Sequence, residues 1–298
     1  MIHRTLRFYP ALVALVIVST ATAAAPPGPS SEAKKDESEP GIEKNANEKN
    51  RRESEQVIRG IDLEILRDDK WTKVERIEKP LLFYTDPARR DDRGSVWGWG
   101  TKGRPLALIE FYRGATNREG WTFAICNTSG RKLRAHRKGA LWWAENDSAA
   151  ELKDISDVAA PAADSALRQR QLKLLAQKFT AHEFFDPGNT KYELRLLKRP
   201  LHTYRDEANG LLDGGVFALA HGTNPEIMLF IEARVDPKDK SKRVWQFTVG
   251  RSSNAEWNLE YNGKEVTHAP PLHGVFASDK PYYFGYINDA LDADSRKR

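Results

Sequence analysis

The stretch Pro80–Pro105 returns 120 residues later as Pro200–Pro225. Eight of the 26 positions are identical: Pro80/Pro200, Leu81/Leu201, Tyr84/Tyr204, Asp86/Asp206, Ala88/Ala208, Gly94/Gly214, Val96/Val216 and Pro105/Pro225. Ordinary composition gives about one or two such matches. Trp97/Phe217, Gly98/Ala218, Trp99/Leu219 and Gly100/Ala220 also keep their size class. The chain is therefore expected to hold two copies of one unit.

Alternation within the copies indicates strands. Trp97 and Trp99 fall on one face of Gly94–Gly100, with Val96, Gly98 and Gly100 on the other; Phe217 and Leu219 repeat the contrast against Val216, Ala218 and Ala220. Large residues fill a core on one side, and a helix or second sheet must press closely on the small side. Leu106–Tyr112 and Ile227–Ala233 are apolar on both faces, the pattern of a central, doubly covered strand. Trp121, Phe123 and Ile125 alternate as Trp245, Phe247 and Val249 do, and further strands run through Leu133–Trp143 and Trp257–Val266. Before the second copy, Asp164 can cap a helix with the stripe Leu172, Leu175, Ala176, Phe179. The shift places the matching helix near Glu53–Leu66, although Ile61, Leu63 and Ile65 also alternate as a strand would. The expected fold class is α+β, mostly antiparallel β, in two repeats, each a helix plus about five antiparallel strands.

The amino terminus reads as an export signal. Arg4 and Arg7 precede an apolar run, Ala11–Val18, and Ala21-Thr22-Ala23 supplies a cleavage site. The run is too short for a membrane span, which needs roughly 20 apolar residues. The expected organisation is a signal peptide (1–23), a disordered linker (24–56), repeat 1 (57–150), a connector (151–163), repeat 2 (164–267) and a carboxy-terminal tail (268–298). The product is expected to be periplasmic or extracellular, with no transmembrane segment and a possible cell-envelope partner. The single cysteine, Cys126, excludes an intramolecular disulfide, so the core must hold the fold. Eight Trp, nine Tyr and twelve Phe supply it. The net charge of +5 is well mixed and lacks the clustered stripe of a nucleic-acid protein, so no nucleic-acid partner is expected.

Few motifs in the chain point to a chemistry. Gly98-Trp-Gly-Thr-Lys-Gly103 spells GxGxxG, but Pro105 and another strand follow where a dinucleotide site needs a helix. No HExxH, HxH, CxxC or G-x-S-x-G occurs, so no metal, cofactor or nucleophile site is expected. His182-Glu183 falls on the expected helix end. Four residues remain as candidates for ligand binding: Trp97, Trp99, Glu110 and Glu232. The two glutamates sit in apolar strands, with Arg113 and Arg234 just beyond. A carboxylate there is either a perturbed acid or a strand-end group reaching water or its neighbouring arginine.

Phe179-Thr-Ala-His-Glu183, followed by Tyr192–Tyr204, resembles uncharacterised exported proteins of planctomycete bacteria. So does Leu212-Asp-Gly-Gly-Val-Phe-Ala218 running on to Gly222–Glu226. The resemblance covers residues 165–267 and implies a bacterial exported protein; no activity comes with it. The expected function is a non-catalytic exported binding or cell-envelope module built from two β-rich repeats. The alternatives are a carrier of an apolar or aromatic small molecule held between sheets, and a hydrolase using Glu110 or Glu232.

Overall fold

The structure, a computed structural model, describes residues 40–86, 92–113, 120–145, 150–185, 190–273, 277–280 and 282–287. The expected signal peptide lies outside these residues.

The described chain opens on α1 (Pro40–Arg59), which corrects the expected linker from Pro40 onward. A sequence this polar forms a helix through pairs three and four residues apart: Glu48 accepts from Arg51 and Arg52, and Lys49 faces Glu53. Ser54 and Ile58 are buried and tie the last turns to the body. The helix expected over Glu53–Leu66 ends early. Beyond Gly60, Ile61, Leu63 and Ile65 point inward from a strand, β1 (Ile61–Arg67).

Seven strands complete the first half: β2 (Lys70–Val74), β3 (Leu82–Asp86), β4 (Asp92–Trp99), β5 (Ala107–Arg113), β6 (Trp121–Asn127), β7 (Leu133–Arg137) and β8 (Ala140–Ala144). β1 lies between β2 and β7, and β8 pairs β7; β3 to β6 form an antiparallel meander. A short strand, β9 (Lys153–Asp154), leads to α2 (Ser165–Ala176). Asp164 Oδ1 caps α2 by accepting from the Leu167 amide at 2.9 Å, and Leu172, Leu175 and Ala176 bury one stripe. Phe179 was expected to continue that stripe. It instead opens a strand, β10 (Phe179–Phe184), which also carries His182 and Glu183.

The chain continues through β11 (Lys191–Leu196), β12 (His202–Asp206), β13 (Leu211–His221), β14 (Asn224–Val235), β15 (Arg243–Arg251), β16 (Glu256–Tyr261), β17 (Lys264–Ala269) and β18 (Tyr282–Ile287). β10 lies between β11 and β16, β16 pairs β17, and β12 to β15 form a meander. Arg76 bridges Trp99 in the first half as Leu196 pairs Leu219 in the second. β9 extends the sheet beside β15, and β18 crosses back to extend the first-half sheet beside β6. Among the described residues each half thus carries eight strands besides these two, where about five were expected. Short polar strands such as Lys70–Val74 bury only one residue and leave no apolar run to read.

Each half has its own core. Trp97, Trp99, Ile109, Phe111, Phe123 and Trp143 pack against Leu63 and Ile65 in the first; Phe217, Leu229, Ile231, Trp245 and Phe247 pack against α2 and Phe179 in the second. The small faces meet in a third cluster, where Val96 and Leu108 lie against Tyr204, Val216, Ala218, Met228 and Phe230. The element pressing on the small side is therefore the other half. Gly41–Arg298 form one compact unit, and no described helix is long and apolar enough to cross a membrane.

Candidate functional site

Trp99 is core, enclosed by the first-half cluster. Glu110 and Glu232 do not reach water: they are 3% and 0% exposed, on β5 and β14. Nor are they register equivalents. Glu110 lies opposite Val96, whereas Glu232 lies opposite Gly214. What does recur is a tyrosine across from a glycine: Tyr84 opposite Gly94, and Tyr204 opposite Gly214. Each ring lies so close over its glycine that a Cβ there would fall 2.3 Å from a ring carbon. Each hydroxyl then donates to the acid of its own half, Tyr84 to Glu110 Oε1 at 2.5 Å and Tyr204 to Glu232 Oε1 at 3.0 Å.

Both sites are completed from the opposite half. Arg104 donates to Glu232 through Nε (2.6 Å) and Nη2 (3.0 Å), and Arg234 adds a bond to Oε2 at 2.8 Å. Asn224, at the place matching Arg104 under the 120-residue shift, stands 3.3 Å from the Tyr84 hydroxyl. Lys102 faces Asp206 at 3.4 Å, while Gly222 lies against the Asp86 carboxylate. Burial pushes the Glu232 carboxyl up, but the two guanidiniums outweigh it and hold the group below the usual carboxylate range. Burial, reinforced by the adjacent carboxylates, raises the Tyr84 and Tyr204 hydroxyls well above the ordinary tyrosine value. Glu232 already receives four donors, so it is a poor candidate for proton transfer to a substrate.

Cys126 is buried on β6, and burial pushes its thiol up to about 12. An aromatic disulfide reagent at pH 8 is expected to leave it unlabelled in the native chain and to label it fully in guanidinium chloride. Rapid native labelling would show that the contact between β6 and the second half opens readily.

The concave feature with converging charges lies elsewhere, between α1 and the edge of β3. A cavity of about 500 Å³ has Arg51, Glu55 and Arg59 of α1 on one wall and Arg76, Glu78 and Lys79 of the β2–β3 connection on the other. Trp97 forms the floor. Its indole is anchored inward to Ser95 Oγ at 3.0 Å, the Arg76 guanidinium sits 5.3 Å above its ring, and Phe83 meets it edge-on at 6.2 Å. Phe83 remains 38% exposed. A second hollow of about 360 Å³, lined in part by Asn47, Arg51, Phe83 and Thr85, continues along the same side. Arg51 is paired with Glu48 at 3.1 Å, but Arg59, Arg76 and Lys79 make no ion pair with any described residue.

Of the four sequence candidates, only Trp97 reaches this groove. Sequence reasoning missed Arg51 and Arg59 because they fall in the polar stretch read as linker or at its border. It missed Phe83 and Arg76 because nothing local marks a single exposed aromatic or arginine. The second half has Leu196, Thr203 and Phe217 where the first has Arg76, Phe83 and Trp97, so these groove side chains are peculiar to the first half. No protein-family model, curated protein or solved structure matches this chain.

Proposed function

We propose that the protein is a non-catalytic exported binding module, descended from a doubled unit, that holds its ligand in the groove between α1 and β3. The groove carries this reading: three cations that make no ion pair with any described residue and an exposed aromatic ring converge on one concavity, as a binding site requires. The duplication is supported by the reciprocal contacts. At matching places, Asn224 reaches Tyr84 while Arg104 reaches Glu232, the acid that Tyr204 bonds, and Gly222 lies against Asp86 while Lys102 faces Asp206. That is the pattern of an isologous pair fused into one chain. Export rests on the apolar amino terminus and its Ala21-Thr22-Ala23 site, and a planctomycete origin on the resemblance over residues 165–267.

Against the hydrolase alternative stands the saturation of Glu232 by internal donors, and against a carrier between the sheets stands the enclosure of Trp99 in a packed core. The test has two parts. Glu232→Gln is expected to cost about 2 kcal/mol, because it weakens charge-assisted hydrogen bonds inside the protein. A variant that melts unchanged would overturn the structural assignment of this acid. In a panel of metabolites followed by thermal shift, at least one compound should stabilise wild type and fail to stabilise Phe83→Asp. Stabilisation that ignores Phe83 for every active compound, or no stabilisation at all, would reject the groove as the site.

A further inference from the structure

The groove's charge balance narrows what it can hold. Its lining counts four bases, Arg51, Arg59, Arg76 and Lys79, against two acids, Glu55 and Glu78, which leaves two positive charges in excess. Glu55 is engaged with Arg51 at 4.0 Å within the helix. The Arg76 guanidinium lies 5.3 Å from the Trp97 ring centroid, a cation–π contact that favours one placement of its fork before any ligand arrives. Arg59 ends α1, and its charge acts directly on Arg76: burial first, and Arg59 second, lower the affinity of the Arg76 guanidinium for its proton. Glu55 acts on Arg76 in the opposite sense but is shared with Arg51, so the cations facing the hollow still favour an oxyanion that enters. Phe83 adds an exposed flat apolar wall beside them.

We propose that the groove binds a small organic dianion, a phosphate monoester or a dicarboxylate on a flat apolar body, with the oxyanion between Arg59 and Arg76 and the body against Phe83. Guanidinium forks match both oxyanions, and a phosphate monoester carries close to two negative charges at neutral pH. The inference rests on the binding reading above and adds the ligand's charge and shape to it.

The experiment titrates the full chain by calorimetry with phenyl phosphate, phthalate, inorganic phosphate and benzyl alcohol. Phenyl phosphate or phthalate is expected to bind saturably at sub-millimolar concentration and more weakly as ionic strength rises. Inorganic phosphate, lacking the ring, should bind at least about tenfold more weakly, and benzyl alcohol not at all. Arg76→Met keeps an apolar stem over Trp97 without the charge; it and Arg59→Met should each weaken the favoured probe about tenfold with an unchanged melting curve. Equal binding by wild type and the Arg59→Met/Arg76→Met double variant would overturn the proposal. If benzyl alcohol binds in a Phe83-dependent way while neither dianion does, the ligand class is wrong and the groove reading survives. If no probe binds, the dianion proposal falls, and the metabolite panel decides the groove reading separately.

Discussion

Gly214→Ala is expected to be the most damaging single substitution in the molecule, costing about 4 kcal/mol and lowering Tm by about 10 °C. The new Cβ would stand 2.3 Å from Tyr204 Cε2, and the ring has nowhere to go. Its hydroxyl is bonded to Glu232, and its face packs in the cluster between the halves. Removing the ring should relieve the clash, so Tyr204→Ala should cost much less in the Gly214→Ala background than in wild type, a coupling that a double-mutant cycle reads directly. Gly94→Ala, set against Tyr84 at the same 2.3 Å, should behave alike. Gly60→Ala meets only ordinary contacts at 3.5 Å and serves as the tolerated control. A Gly214→Ala protein that melts with wild type would mean that the Tyr204 ring shifts off residue 214 at little cost.

Arg104→Ala follows closely, at about 4 kcal/mol, because it strips two bonds from a carboxylate with no access to water. Arg234 remains, which keeps the loss from being larger. A pH series separates this from lost packing. In wild type, the stability contributed by Glu232 is in place above about pH 4.5, the value of the free side chain, and disappears as pH falls through the lower value of the folded chain. Without Arg104, burial pushes the carboxyl upward, the folded state binds its proton more readily, and the acid limb of the stability curve flattens. An acid limb of undiminished slope in Arg104→Ala would assign the depression to Arg234 alone. Arg104→Ala combined with Glu232→Gln should recover part of the loss, since no buried charge is then left short of donors.

Tyr84/Tyr204 and Gly94/Gly214 stood out in the sequence as matched pairs, and the structure gives their reason: each aromatic ring requires a missing side chain beneath it. The alternation around Trp97 and Phe217 likewise announced a large face and a small face. The partner of the small face was not legible, because contact between two segments 120 residues apart leaves no local pattern. α1 was hidden for a different reason. Its stability comes from paired charges and a few buried residues at one end, and a polar, alanine-poor stretch of that kind reads as solvated chain. The groove inherited that blindness, since one of its walls is that helix. The glutamates were legible as acids in apolar strands, but whether such an acid is free or saturated depends on Arg104 from the opposite half.

β18 bears on how the chain acquires its fold. Residues 282–287 come after the whole of the second half, yet they complete the sheet of the first, with Tyr282 opposite Cys126 and Ile287 opposite Trp121. The order of synthesis and the order of assembly therefore cannot coincide. The amino-terminal half must wait, with the β6 edge uncovered, until some 150 further residues have emerged. Pairings of such long sequence separation place the chain among slow folders, and that waiting edge is where a holding chaperone would do most good.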